Sequence, residues 1–230
     1  MRIGGIKKSS LLDFPNKIST IIFTQGCNFN CGFCHNPFLL QKKEGIIPTD
    51  DFFEFLSTRK GKIEGVVISG GEPTIQEDLI PFIRKIKNMG FCVKLDTNGS
   101  NPDILQDLIN ENLIDYIAMD IKSPLEKYSF VTNININTNS IKKSIETIIK
   151  SNTDYEFRTT FMPYYHRIED FKEIGELIKG AKRYYLQRFE AHSEINNPNL
   201  AQEKNFTKKE EEKIKEILIN YVEMAELRFY

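Results

Sequence analysis

Three of the four cysteines, Cys27, Cys31 and Cys34, fall within eight residues of one another, while Cys92 stands alone. Thiols crowded in this way do not make a disulfide framework; in a reducing compartment they serve as metal ligands or redox groups. The spacing Cys27-x3-Cys31-x2-Cys34 offers three thiolates from one loop, with Gly26 and Gly32 leaving room for tight turns. Structural zinc takes four closed ligands, and iron–sulfur clusters usually take four cysteines. A three-cysteine loop therefore leaves one coordination position open, and an open position is where a substrate or cofactor binds. The competing reading is a zinc site of the three cysteines plus His35, but a residue adjacent to Cys34 closes a tetrahedron only awkwardly.

Other residues of chemical interest lie further along. Gly70-Gly71-Glu72-Pro73 lets backbone amides and carbonyls approach a ligand closely, although an ordinary strand-to-helix turn has the same composition. Asp96-Thr97-Asn98-Gly99 contains a turn dipeptide, yet Asp96 ends an apolar run, where a carboxylate needs a partner or a cation. Asp120 and Lys122, two apart, point to the same side of a strand; a surface ion pair is the alternative. Arg158 is a charge in an otherwise apolar or hydroxyl-bearing run, and Gln187-Arg188-Phe189 ends a later one. His166 and His192 read as solvated loop histidines, Cys92 as an inert core thiol, and the run from Lys208 to Lys215 as a solvated helix face.

These residues need elements to position them, and the periodicity supplies a βα alternation. Strands are expected over Ile18–Thr24, Val66–Ser69, Phe91–Asp96, Tyr116–Ile121, Tyr155–Phe161 and Arg183–Phe189, with a short closing strand over Ala225–Tyr230. Helices are expected over Asp50–Thr58 behind a Thr49 cap, from Leu79 to a stop at Gly90, over Pro102–Asn112, after a Ser140 cap, over Glu169–Lys179, and from a Thr207 cap to Met224. The Asn-rich stretch after Lys122-Ser123-Pro124 reads as a mobile loop. Six βα units without a low-complexity linker imply a parallel sheet with crossover helices on its outside, in one domain: residues 1–17 an extension, 18–190 the core, 191–230 a loop, helix and tail. Ligands then lie at the carboxyl ends of the strands, where every motif above falls.

Composition narrows the class. With 230 residues, 40% hydrophobic and 27% charged, the chain is long and apolar enough for a full core without disulfides. A formal net charge of −1 argues against a general nucleic-acid or membrane-surface binder. No stretch approaches the roughly 18 apolar residues of a membrane span, and Met1 to Asp13 lack the apolar run of a secretory signal, so a cytoplasmic location is expected.

The cysteine spacing at the end of the first strand, with Phe33 before the last cysteine, resembles the signature of the radical S-adenosylmethionine (SAM) superfamily, and Gly70-Gly71-Glu72-Pro73 resembles its GGE motif. The resemblance implies a partial (β/α)6 barrel and a 4Fe-4S cluster on Cys27, Cys31 and Cys34, whose fourth iron is chelated by SAM. The backbone of the Gly-Gly-Glu segment would hold the SAM amino group. Asp96-Thr97-Asn98-Gly99 and Asp120-Ile121-Lys122 are similar to segments of the glycyl-radical-enzyme activating enzymes. By that likeness Asp96, Thr97, the Ala118 carbonyl and Asp120 form a sodium or potassium site, Lys122 and Arg158 contact SAM, and one of Gln187, Arg188 and Phe189 contacts the ribose.

Gly4-Gly5-Ile6, Ser10 to Pro15, Phe23 to Phe29, Cys34-His35-Asn36-Pro37 and Met119 to Tyr128 resemble the activating proteins of anaerobic ribonucleoside-triphosphate reductase. The likeness implies reductive cleavage of SAM to methionine and a 5′-deoxyadenosyl radical, which takes hydrogen from the α-carbon of a glycine in a partner glycyl-radical enzyme. A flavodoxin or ferredoxin would supply the electron. A radical SAM enzyme acting on a small molecule, such as a 7-carboxy-7-deazaguanine synthase, shares the cysteine spacing and Gly-Gly-Glu-Pro; a non-catalytic zinc-stapled interaction protein is the alternative from another class.

Overall fold

The computed structural model describes residues 1–190 and 194–228. Eight strands form one sheet in strict sequence order: β1 (Ile3–Ser10), β2 (Ser19–Thr24), β3 (Gly65–Gly70), β4 (Cys92–Thr97), β5 (Tyr116–Asp120), β6 (Asp154–Phe161), β7 (Tyr184–Arg188) and β8 (Ala225–Arg228). Strand β1 is antiparallel to β2, and every later pair is parallel. A parallel pair needs a crossover, and each has one. Helix α1 (Thr49–Ser57) joins β2 to β3, α2 (Leu79–Asn88) joins β3 to β4, and α3 (Pro102–Asn110) joins β4 to β5. The short α4 (Tyr128–Thr132) and α5 (Thr138–Lys150) lie between β5 and β6, α6 (Asp170–Leu177) between β6 and β7, and α7 (Lys208–Leu218) between β7 and β8. An order without reversal is the winding of a barrel rather than of a doubly wound sheet.

Strand alternation divides the sheet's two faces. Val66, Ile68, Val93, Leu95, Ile117 and Met119 join the helices in the main core, against Phe52, Phe82, Leu105 and Ile148. Ile21, Val67 and Tyr116 point the other way and make a small separate cluster with Phe14. Above that cluster the inner face turns polar, because Lys94 and Asp96 on β4, Asp120 on β5, and Glu156 and Arg158 on β6 occupy the alternate positions. The register sets Asp120 directly beside Arg158.

Some boundaries differ from those the sequence implied. Residues 1–17 are more than an extension, since β1 lies within them; its Ile-Gly-Gly-Ile-Lys-Lys-Ser-Ser lacks the β-branched run that marks an interior strand, as suits an edge. Thr49 is the first residue of α1 rather than its cap, Pro48 occupying that place. Asn137, not Ser140, caps α5, accepting from the Asn139 amide. The stretch after Lys122 contains α4, with Tyr128, Val131 and Thr132 buried, instead of one long loop. The last helix stops at Leu218, short of Met224, but its Thr207–Glu210 capping box is formed. Of the closing strand, Ala225–Arg228 is present, and Phe229 and Tyr230 lie outside the described residues. Among the described residues, no helix is long and apolar enough to cross a membrane.

Candidate functional site

The carboxyl ends of β2 to β6 open onto one cavity of about 710 Å³, mouth included, lined by Cys27, Cys31 and Cys34, by Phe33, by Gly70, Gly71 and Glu72, by Asp96, Thr97 and Asn98, and by Asp120, Lys122 and Arg158. Sequence motifs separated by more than a hundred residues thus meet at one place. Three expected residues lie off it. Pro73 is buried at the start of a 3-10 turn, and Ala118 is buried within β5 opposite Asp96. Gln187 lines an adjoining cavity that shares Phe33, Cys34, Asp120 and Arg158 with the first.

The cysteine loop has no regular structure, so its backbone groups find partners elsewhere. Gly26 and Cys27 donate to the Leu39 and Leu40 carbonyls at 2.8 and 3.2 Å, and the Cys34 amide donates to the Cys31 carbonyl at 3.1 Å. Burial pushes the Cys27 thiol up to about 12 and the Cys31 thiol up to about 11, and raises Cys34 too; the Lys122 ammonium opposes the rise at all three. Such thiols ionise only against strong positive charge, which iron supplies. His35 is turned away from them, its Nε2 at 2.7 Å from the Glu190 carbonyl and its ring stacked on Phe189. The fourth ligand of the zinc alternative is therefore engaged elsewhere. Among the described residues, no three His, Cys, Asp or Glu side chains gather as the shell of a single metal ion. Three thiols spread round one cavity fit an iron–sulfur cluster.

The glycine pair explains how the second motif reaches the first. Gly70 sits at φ +114°, and a Cβ there would fall 2.2 Å from the Thr24 amide nitrogen. A Cβ on Gly71 would fall 2.0 Å from the Gly26 carbonyl. Only bare backbone fits between β2 and the cysteine loop. The Glu72 side chain points into protein: it accepts from the Thr74 amide (3.0 Å) and hydroxyl (2.5 Å), the Thr97 hydroxyl (2.7 Å) and the Asn98 amide (2.7 Å). Burial still raises its pKa, since four donors only partly replace water. Glu72 thus ties the end of β3 to the end of β4.

Across the cavity runs a row of alternating charges. Lys122 Nζ lies 2.8 Å from Asp120 Oδ2, Arg158 Nε bonds Asp120 Oδ1, and Arg158 Nη2 lies 3.3 Å from Asp96 Oδ2. Ser69 donates to Asp96 Oδ2 at 3.0 Å. Asp96 Oδ1 is buried without a hydrogen bond, its nearest cation being Lys94 Nζ at 3.4 Å. Burial by itself would raise the Asp120 carboxyl; Arg158 and Lys122 outweigh it and hold the group at about 2. On the cavity lining Lys122 and Arg158 face Asp96 and Asp120, so the row is paired, and its two cations are the donors an anionic ligand end would meet.

This row alters two expectations. Of the groups assigned to a sodium or potassium ion, Asp96 and Asp120 are bridged by Arg158, and the Thr97 hydroxyl donates to Glu72. A guanidinium supplies the positive charge there. His166, read as solvated, is buried, with Nε2 at 2.9 Å from the Lys122 carbonyl and burial lowering its pKa. His192 lies outside the described residues, and Cys92 is half-buried beside the Phe14 cluster. Sequence reasoning missed Ser69, Asn28 and Lys94. Alternation alone could have found Lys94, two before Asp96 on one strand; Asn28, which accepts from Asn98 Nδ2 at 2.9 Å, carries no local signal.

The model of the radical SAM superfamily matches residues 21–180, most of the chain and all of the strands that line the cavity. The chain belongs to the radical SAM superfamily. It is 39% identical over 196 residues, 82% of this chain and 80% of the other, to a Methanocaldococcus jannaschii protein assigned as a glycyl-radical enzyme activating enzyme. It is also 31% identical over 127 residues, about half of each chain, to the pyruvate formate-lyase-activating enzyme of Clostridium pasteurianum. Among solved structures, Streptococcus suis SuiB bound to S-adenosylmethionine superposes with a TM-score of 0.65 at 13% identity, covering 90% of this chain and 48% of SuiB. The structure named anSMEcpe, with bound AdoMet, gives 0.54 at 19% identity, covering 85% and 57%. These two likenesses concern the fold, and the radical SAM chain spans about half the length of SuiB.

Proposed function

We propose that this radical SAM enzyme is an activase that generates a glycyl radical on a partner enzyme. The observation that carries the reading is the convergence of three cysteines, bare Gly70-Gly71 backbone and the Lys122 and Arg158 cations on one cavity, in a chain 39% identical to a protein assigned to that task. Cys27, Cys31 and Cys34 would hold a 4Fe-4S cluster, and the Gly70-Gly71-Glu72 backbone would receive the amino group of S-adenosylmethionine. When bound, the pair supplies one-electron reductive cleavage of a C5′–S bond and thereby abstraction of a hydrogen atom.

The chain's own side chains then bind and orient. Lys122 and Arg158 offer cationic donors for a carboxylate, and Asp120 holds both in place by accepting from each. Phe33, under the Lys122 ammonium at 5.5 Å, closes the cavity wall with an apolar ring. Little proton transfer is asked of the protein, in keeping with a cavity whose lining includes no histidine among the described residues. The anaerobic ribonucleoside-triphosphate reductase is the partner favoured by the Ser10 to Pro15, Phe23 to Phe29 and Cys34 to Pro37 segments, with a flavodoxin or ferredoxin as electron source.

The reconstituted protein, mixed without oxygen with that reductase, S-adenosylmethionine and reductant, is expected to produce a glycine-centred electron paramagnetic resonance signal. Cleavage of S-adenosylmethionine with no such signal on any glycyl-radical enzyme supplied would overturn the activase reading while leaving the family intact.

A further inference from the structure

The cysteine loop is gripped from a segment that no motif marked. After β7 the chain returns over the site, and two consecutive residues take hold of the loop. Asn197 donates its amide to the Gly32 carbonyl at 2.8 Å, and Asn196 donates its amide to the Cys34 carbonyl at 3.0 Å. The Asn196 carboxamide nitrogen reaches the Cys31 carbonyl at 3.1 Å and Asn30 Oδ1 at 2.9 Å. Three carbonyls of the stretch carrying Cys31 and Cys34 therefore have their donors in this segment. The segment is itself fixed: Ile195 and Leu200 are buried on either side of the pair, and Asn197 accepts from the Asn199 amide to start a 3-10 turn over Pro198–Gln202. Gly32 is closely covered here, since a Cβ would fall 2.5 Å from the Tyr165 hydroxyl and 3.3 Å from both Asn197 Cβ and Leu200 Cδ1.

We infer that residues 195–200 are a latch that sets the position of Cys31 and Cys34, with Asn196 as its positioning residue. The inference rests on the cluster reading for its purpose, because three thiols meet an iron–sulfur cube only if their loop holds a shape that its own hydrogen bonds do not define. Among the described residues, the loop makes just one internal backbone hydrogen bond, Cys34 to Cys31, outside the regular elements. Without the latch, the carbonyls of residues 32 and 34 would lose their donors, that of residue 31 would keep only the Cys34 amide, and the loop would loosen.

Alkylation of the metal-free protein tests the latch independently of the cluster. With iodoacetamide at neutral pH and mass-spectrometric mapping, Cys31 is expected to react slowly in the wild type and at least fivefold faster in Asn196→Ala, with Cys92 unchanged as the internal control. Asn196→Asp keeps the shape but loses the carboxamide donors, so it is expected to match Asn196→Ala. After reconstitution, both variants are expected to shift the cluster's midpoint potential and to release iron to a chelator faster. An unchanged Cys31 rate with an unchanged potential overturns the latch. Should either variant unfold, seen as faster Cys92 labelling, hydrogen exchange in the wild type decides: Asn196 and Asn197 amides must exchange as slowly as that of Asn30, and free-loop rates there refute the inference. A wild type that binds no iron–sulfur cluster, yet shows the same alkylation contrast, refutes the parent reading and leaves the latch standing.

Discussion

At the scale of single residues, the site is a set of charges and thiols whose neighbours decide their behaviour. Removing Lys122 leaves Asp120 with Arg158 only and takes one cationic donor from the cavity. Lys122→Ala is expected to weaken S-adenosylmethionine binding by about 1–3 kcal/mol with the iron content unchanged, as calorimetry on the reconstituted protein can measure. Asp120 yields a prediction about acid. Its folded carboxyl is held at about 2 against an ordinary 3.8, so its contribution is present above about pH 4 and lost as the pH falls towards 2. The shift corresponds to about 2 kcal/mol. Asp120→Asn is expected to be less stable at neutral pH but to show a shallower fall in melting temperature between pH 4 and pH 2; an identical acid slope would mean that Asp120 is not coupled to its cations. The cysteines, Asp96, Asp120 and Lys122 were legible in the sequence because each is an unusual residue type at a strand end. Arg158's place between two carboxylates was not, because it depends on how three strands are registered.

Among elements, the loops at the strand ends matter more than the helices that return the chain. The β3 loop touches the cysteine loop through bare backbone, so Gly71→Ala must displace the Gly26 carbonyl. The expected cost is about 1–3 kcal/mol in urea unfolding, together with poorer cluster incorporation. Gly5→Ala provides the contrast: a Cβ there meets just the Phe23 ring, at 3.7 Å, and the change should stay within about 0.5 kcal/mol. Equal effects at the two positions would count against close backbone approach as the reason for Gly71. Helix and strand types were readable from period, while several caps were not. Thr49 and Ser140 are sound N-cap types, but Pro48 and Asn137 stand nearer to where packing starts the helices. The edge strand β1 was missed because its Gly4 and Gly5 carry no side chain and its Lys7 and Lys8 are exposed, leaving little alternation to detect.

For the whole molecule, the decisive feature is a sheet wound in one direction, whose inner face buries charge below the site. Arg228 on β8 binds Glu156 on β6 through both carboxylate oxygens, at 2.7 and 3.0 Å, and Tyr116 donates to the same carboxylate at 2.8 Å. Glu156 is fully buried, so Arg228→Met leaves a charge short of its main partner. The expected loss is about 3–5 kcal/mol, with partial recovery in the Glu156→Gln double variant; denaturant unfolding of the four proteins checks both. The sequence by itself determined the donor groups and the alternation of strands and helices: thiol spacing, glycine pairs and strand-end carboxylates are local patterns, and period marks each βα unit, whereas right-handed crossovers fit an open sheet as well as a barrel. Only the tertiary structure decided which groups face one another across the cavity, that the Arg158 guanidinium bridges Asp96 and Asp120, and that Asn196 holds the loop of Cys31 from 165 residues away. Such contacts join residues with no sequence relation, and they exist only once the sheet has brought its strand ends together.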